Sequence, residues 1–288
     1  MTRKGIVLAG GNGSRLHPST KAVSKQLLPI YDKPLIYYSL SVLMMAGIKD
    51  LMIITTPHDK ESYINLFKDF TSLGINLEFR AQENPEGIAQ AFHICEDFIG
   101  ADKVALILGD NIFYGSNFTD ILKRVNESEG ATVFGYHVDD PERFGVVTFN
   151  DQGNVIDISE KPNNPRSNYV VTGLYFYDND VIEISKSLKK SERSEYEITD
   201  LNKIYLDNNK LNVELLGRGF TWLDAGTHDS LLDAGNFIKT IESRQGLKIG
   251  CLEEISLNNG WITKENILSR IQKLGNSSYA SYLSSISK

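Results

Sequence analysis

Apolar residues in the first half of the chain fall into short unbroken runs separated by amphipathic stretches. "KGIVLAG", "DLMIITT", "LEFRA" and "KVALILGD" read as buried strands, and "KPLIYYSLSVLMMAGI" and "KESYINLFKDF" carry apolar residues at helical spacing. Pro34 near the start of the first helical stretch and Gly47 just past its end follow the usual asymmetry of helix termini. Strand and helix alternate, which predicts an α/β architecture with a mostly parallel sheet and helices on both faces. Ligands bind such sheets beyond the carboxyl ends of the strands. The loop after "GIVLA" and the "GDN" at 109–111 both fall there.

The pattern changes in the middle. "ATVFGYHV", "FGVVTFN", "NVIDIS" and "YVVTGLYFY" follow one another across the turn signals "DDPERF", "NDQGN" and "KPNNPRSN", which predicts mixed or antiparallel strands added to the first sheet. "DNDVIEISKSL" and "EITDLNKIYLDNN" read as helices, and "LNVELL" and "FTWLD" as strands. A helix is predicted from Thr227, a suitable N-cap with Asp229 in the first turn, and another at "TKENILSRIQKL". The chain ends in the serine-rich "GNSSYASYLSSISK", and the last fifty or so residues are free to pack on the core or on a neighbouring subunit.

Composition narrows the function classes. With 288 residues, 41% hydrophobic and 23% charged, the chain can bury a large core. A net charge of −7 argues against a nucleic-acid partner, so any phosphate chemistry is local. No apolar run is long enough to span a membrane and the N-terminus enters a strand directly, so a cytoplasmic enzyme without a membrane partner is expected. Cys95 lies on the stripe Ile88, Ala91, Phe92, Cys95, Phe98 and Ile99, and neither it nor Cys251 belongs to a metal or redox motif.

The stretch "AGGNGSRLHPSTKAVSKQ" concentrates glycines and cations after the first strand. It fails the Walker pattern, because Gly11 stands where the lysine belongs, and the dinucleotide fingerprint, because Leu16 stands where the third glycine belongs. What survives is an anion-holding loop in which glycine amides approach closely and Arg15, Lys21 and Lys25 supply charge, or else a tight turn with solvated cations. Asp110 follows a buried strand and is either a turn residue or a hard-metal ligand; Asp224 in "FTWLDAGT" is either a helix cap or its partner in holding Mg2+. Glu160 and Lys161 in "SEKP" are either a solvated pair or a contact to a sugar and its phosphate. The five histidines are scattered and no nucleophile elbow is present, which disfavours covalent catalysis and favours phosphoryl-type transfer.

"GIVLAGGNGSRLHPSTKAVSKQLLPIYDKPLIYYSL", "LILGDNIFYG", "SEKP", "VTGLYFYD", "EITDLN" and "WLDAGT" together resemble the glucose-1-phosphate thymidylyltransferases, a branch of the sugar nucleotidyltransferases, from about residue 3 to about residue 260. The resemblance implies a three-layer α/β/α Rossmann-like nucleotidyltransferase fold with a mixed, mainly parallel sheet. It implies a catalytic domain over 1–240, with a nucleotide-binding first half and a sugar-binding second half, and a C-terminal helical segment over 241–288 at a subunit interface or regulatory site. The implied reaction joins dTTP and glucose 1-phosphate into dTDP-glucose and pyrophosphate with Mg2+ in a homotetramer, as a first step toward dTDP-rhamnose or a related deoxysugar.

By the same resemblance Arg15, Lys25, Asp110, Lys161 and Asp224 are catalytic, and Asp110 and Asp224 hold the metal. Gly10, Gly11, Gly13, Ser14, Arg15, Lys25, Gln26, Gln82, Gly87 and Asp110 contact the nucleotide, with Gln82 reading the thymine edge. Asn111, Gly145, Glu160, Lys161, Val171, Tyr175 and Arg193 serve the sugar phosphate, and Trp222 supports the floor. The chain departs from the family pattern at Phe144, where a tyrosine is usual, at Ser194, where a glycine is usual, and at Leu257 and Asn258, where an aromatic residue and an arginine are usual. The last pair lies in a region associated with a second, regulatory nucleotide site, so feedback by dTDP-rhamnose is expected to be weakened or retuned. The rival readings are a uridylyltransferase or dual dTTP/UTP enzyme, and a non-catalytic sugar-nucleotide sensor.

Overall fold

The computed structural model describes residues 2–11 and 13–288. The first half contributes β1 (Arg3–Ala9), β2 (Pro29–Ile30), β3 (Lys33–Pro34), α1 (Ile36–Met45), β4 (Asp50–Thr55), α2 (Lys60–Phe67), β5 (Asn76–Ala81), α3 (Gln90–Ile94), α4 (Glu96–Ile99), β6 (Lys103–Leu108), β7 (Asn111–Tyr114) and α5 (Phe118–Asn126). The second adds β8 (Ala131–His137), β9 (Gly145–Phe149), β10 (Val155–Glu160), β11 (Tyr169–Tyr177), α6 (Val181–Ser187), α7 (Ile198–Asp207), β12 (Leu211–Leu216) and β13 (Thr221–Asp224). The chain finishes with α8 (His228–Gln245), α9 (Leu252–Asn258), α10 (Lys264–Leu274) and α11 (Ser278–Ile286).

Nine strands form one sheet in the order β10-β9-β11-β6-β1-β4-β5, with β8 beside β11 and β12 beside β8. β1 pairs parallel with β4 and β6, and β12 with β8, while β11 runs against β6, β8 and β9. All strands of this sheet except β10 and β11 therefore point the same way, as the predicted mainly parallel sheet requires. Alternation along the buried strands feeds two apolar layers. Val7, Ile53 and Ile107 face α1 and α5 through residues such as Leu43 and Leu122, while the neighbouring Ile6, Ile54 and Leu106 face Phe92, Leu201 and Tyr205 of the opposite helices. Cys95 is buried in the second layer, as the stripe predicts.

The C-terminal helices pack on the same chain. Leu252, Ile267 and Leu283 enter the layer that holds α1, Asn259 Nδ2 donates to Met44 O at 2.8 Å, and buried Arg270 reaches buried Glu253 at 2.7 Å. Helix α8 starts where expected, with Thr227 accepting from the Ser230 amide at 3.1 Å, and runs unbroken past position 240 to a left-handed Gly246. Two small ladders stand apart from the main sheet: the hairpin β2–β3, and the pair β7–β13, whose second strand is expected from "FTWLD" and whose first is not. No helix of the described residues is long and apolar enough to cross a membrane.

Candidate active site

The two strand-end carboxylates are brought together by the β7–β13 ladder. Asp224 stands opposite Asn111 in its register, and Ala225 N donates to Asp110 O at 3.0 Å, so the residue after β6 and the last residue of β13 share one corner. Burial and the nearby Asp110 charge push the Asp224 carboxyl up from its ordinary range, against the pull of Arg143, Lys25 and Arg15. Two acidic groups held this close favour a cation between them.

Asp110 is gripped on both oxygens. Lys25 Nζ lies 2.5 Å from Oδ2, and Asn111 Nδ2 donates to Oδ1 at 2.9 Å. The Asn111 amide cannot turn over, because its Oδ1 accepts from Trp222 Nε1 at 2.6 Å and from the Gly173 amide at 3.1 Å. Gly173 is required for this approach, since a Cβ there would sit 2.5 Å from Asn111 Oδ1. Trp222 is thus more than floor; its indole nitrogen orients the residue that orients the carboxylate.

The glycine-rich loop has no α-helix behind it, only a short 3-10 turn at Ser14–Leu16 entered through left-handed Gly13. Lys25 is 8% exposed in the next such turn and points at Asp110, while Arg15 is exposed and, among the described residues, has no ion pair or hydrogen bond to its guanidinium. Gln26 is buried, with Oε1 accepting from Ser24 at 2.9 Å. Lys21 is exposed beside a small hollow next to Gly11.

Two cavities meet at this corner. One of about 220 Å³ is walled by Gly11, Gly13, Ser14, Lys25 and Gln26, one of about 510 Å³ runs past the sugar-side candidates, and Arg15, Asp110 and Asp224 line both. All seven sugar-side candidates, Asn111, Gly145, Glu160, Lys161, Val171, Tyr175 and Arg193, line the larger one. Glu160 Oε2 accepts from Thr199 Oγ1 at 2.5 Å and its Oε1 from Arg193 Nη2 at 3.1 Å. Buried Glu197 holds Arg193 from the other side, accepting at 3.1 and 2.8 Å. Lys161 adopts a left-handed backbone with φ of 42°, its amide donating to Phe144 O at 2.9 Å. A non-glycine residue in that region costs on the order of 1 kcal/mol, a cost that clusters at functional positions.

The structure adds residues that the pattern did not single out. Arg143 lines the larger cavity and pairs with Asp140 at 2.6 Å, and Glu197 and Thr199 anchor the Arg193–Glu160 pair. Phe144, in place of the family's tyrosine, packs edge-on to Trp222 with ring centroids 5.3 Å apart. Ser194, in place of the usual glycine, is left-handed at φ of 61°. Gly10, Gln82 and Gly87 stand outside the walls of both cavities: Gln82 closes β5 facing Gly10, and Gly87, at φ of 106°, lies where a Cβ would come 2.5 Å from Tyr196 O. A third cavity of about 380 Å³ lies away from this corner, between α1 and α9, and has Tyr114, Lys123, Lys248, Glu254 and Asn258 on its walls. Leu257 packs against the apolar layer instead.

Comparison with known proteins places the chain in a family. The family of nucleotidyl transferases matches residues 4–241. Glucose-1-phosphate thymidylyltransferase of Neisseria gonorrhoeae is 54% identical over 281 residues, covering 97% of this chain and 98% of that protein. The Mycobacterium tuberculosis (strain CDC 1551 / Oshkosh) protein of the same name is 53% identical over 280 residues, covering 97% of each. Among solved structures, a candidate glucose-1-phosphate thymidylyltransferase from Bacillus anthracis in complex with a sucrose superimposes with a TM-score of 0.75 at 43% identity, covering 82% of this chain and 95% of that one. A UDP-glucose pyrophosphorylase complexed with UDP-glucose gives a TM-score of 0.73 at 25% identity, covering 84% and 100%. With near-complete coverage at this identity, the chain belongs to the nucleotidyl transferase family and, within it, to the glucose-1-phosphate thymidylyltransferases.

Proposed function

We propose that the chain transfers a thymidylyl group from dTTP to α-D-glucose 1-phosphate, releasing pyrophosphate and dTDP-glucose. The observation that carries this reading is the corner where Lys25, Asp110 and Asp224 meet between two cavities that share Arg15. A phosphate oxygen of the sugar phosphate attacks the α-phosphorus of dTTP. The bond from that phosphorus to the bridging oxygen breaks, and the electron pair leaves with pyrophosphate.

Each side chain then has a task. Arg15 and Lys25 neutralise charge building on the departing pyrophosphate, and the amides of Gly10, Gly11, Gly13 and Ser14 hold the triphosphate, with Gln26 bracing the turn. Gln82 reads the base and Gly87 leaves it room. Lys161 and Arg193 hold the sugar phosphate; Glu160 accepts from the sugar hydroxyls; Gly145, Val171, Tyr175 and Asn111 shape the pocket. Asp110 and Asp224 suit Mg2+: two like-charged carboxylates whose mutual repulsion a cation between them would relieve, beside two cavities with space for phosphate oxygens and water to complete the shell. Bound there, Mg2+ supplies charge neutralisation at the reacting phosphate. We read residues 1–240 as the catalytic domain and 241–288 as the regulatory or subunit-facing segment of a cytoplasmic homotetramer serving deoxysugar synthesis. In the third cavity Asn258 offers no charge to a nucleotide phosphate, which supports weakened feedback by dTDP-rhamnose; ordinary tight inhibition in a titration would contradict this.

A second reading, acceptance of UTP, is favoured by the likeness to UDP-glucose pyrophosphorylase. Pyrophosphate release from the purified protein with Mg2+, glucose 1-phosphate and dTTP, UTP, CTP, ATP or GTP separates the cases. Preference for dTTP supports the thymidylyl reading, equal use of UTP supports dual specificity, and no release with any of them supports a non-catalytic sensor.

A further inference from the structure

Gln82 is 4% exposed, and its Nε2 donates to Gln90 Oε1 at 2.5 Å. Gln90, the first residue of α3, is itself fixed at both ends of its amide. Its Oε1 also accepts from the Glu86 main-chain N–H at 3.1 Å, and its Nε2 donates to Glu86 Oε2 at 3.3 Å. A main-chain N–H only donates and a carboxylate only accepts, so the orientation of Gln90 has no alternative. The Gln82 atom that faces Gln90 must then be the donor. Gln82 Oε1 is turned toward Gly10, where any side chain would collide with it. Glu86 is anchored in turn: Lys190 Nζ reaches its Oε1 at 2.6 Å, and the Tyr196 amide donates to its carbonyl at 2.7 Å.

We infer that Gln90 is the positioning residue that sets base selectivity, by locking the Gln82 amide in the orientation that accepts a ring N–H. The inference rests on the reading of Gln82 as the base contact. Thymine and uracil present a ring N–H beside a carbonyl, which a side chain matches by offering Oε1 as acceptor and the second Nε2 hydrogen as donor. Cytosine presents a bare ring nitrogen beside an amino group and needs the amide turned over. Turning Gln82 over here sets its Oε1 against Gln90 Oε1, two acceptors face to face with no donor between them, in a buried setting where an unpaired polar group is costly. The lock therefore excludes cytosine and treats uracil like thymine.

The test compares kcat/KM for dTTP, UTP and dCTP in the wild type, Gln90→Met, Gln90→Asn and Gln82→Ala, each checked for folding by circular dichroism. Methionine fills the space without an acceptor; asparagine is one methylene short and keeps the site polar. The dTTP:dCTP ratio is expected to fall about tenfold or more in both Gln90 variants, while dTTP:UTP and the KM for glucose 1-phosphate stay near wild type. A role confined to packing would weaken all nucleotides together. If the dTTP:dCTP ratio collapses in Gln82→Ala but holds in both Gln90 variants, the lock is wrong and Gln82 alone reads the base. If Gln82→Ala leaves base preference intact, the assignment of Gln82 fails and the inference with it.

Discussion

Trp222 donates its indole N–H to Asn111 Oδ1 at 2.6 Å, and Asn111 passes the constraint on, donating from Nδ2 to Asp110 Oδ1 at 2.9 Å. A tryptophan on β13 thereby fixes a carboxylate at the end of β6. Replacing Trp222 with phenylalanine keeps an aromatic ring beside Phe144 while removing the indole donor and some ring volume. Loss of one buried hydrogen bond costs about 1–3 kcal/mol. The Mg2+ concentration for half-maximal activity is expected to rise about tenfold with the fold retained by circular dichroism; an unchanged Mg2+ requirement would reduce Trp222 to packing.

Lys25 has a different weight, because it faces both Asp110 and the cavity that would hold the triphosphate. A preorganised cation or donor aimed at developing charge contributes about 3–4 kcal/mol of transition-state stabilisation. Lys25→Ala should lower kcat by two to three orders of magnitude, roughly the range that free energy implies. Wild-type turnover in that variant would remove Lys25 from the catalytic set.

Ser194 holds a left-handed backbone and donates its amide to Ser191 O at 2.8 Å beside Arg193. Glycine adopts this conformation without the Cβ penalty, partly offset by the greater freedom of the unfolded chain. Ser194→Gly should raise Tm by about 2 °C, since about 0.5–1 kcal/mol is recovered in a chain of this size. The KM for glucose 1-phosphate should not change, as the turn is already formed. A lower Tm would show that the serine side chain contributes something the backbone does not.

Glu254 lines the third cavity, and burial raises its carboxyl above the ordinary range even though Tyr282 donates to it at 2.7 Å. A carboxyl whose folded pKa is raised binds protons more tightly in the native state. Its ionisation therefore costs stability as pH climbs from the unfolded value through the folded one. The Tm difference between Glu254→Gln and wild type should grow in favour of the variant from pH 4.5 toward neutrality. A difference that is flat with pH would mean that Glu254 ionises without penalty.

Much of the fold was legible because burial writes itself into sequence. β1, β4 and β6 are unbroken apolar runs, and the Pro34–Gly47 and Thr227 signals bracket their helices. "FTWLD" was legible as the strand β13, but β7 and its pairing with β13 were not, since a four-residue strand beginning at Asn111 has too little periodicity. The hairpin β2–β3 is likewise hidden by Pro29 and Pro34. Helices α9 and α11 escaped because "CLEEISLNN" and "SYASYLSSI" spread few apolar residues among polar ones, and tertiary packing, of α9 on α1 and of α11 on α9 and α10, decides them. At the site, Asp110, Asp224 and the cationic loop could be found at strand ends. Arg143 and Glu197 could not, because "DDPERF" and "SERSEYE" look like solvated charge until three loops converge. Gly173, inside the strand "YVVTGLYFY", was the one available hint that another group approaches the backbone there.

The central claim is that the Asp110–Asp224 corner carries thymidylyl transfer. Its most direct test follows dTDP-glucose and pyrophosphate together, with dTTP and glucose 1-phosphate, across a Mg2+ titration of wild type and Asp224→Asn. Equimolar dTDP-glucose and pyrophosphate in the wild type, with activity lost or shifted to much higher Mg2+ in the folded variant, is the predicted result. No product from the wild type, or a variant with wild-type rate and Mg2+ dependence, would contradict the account.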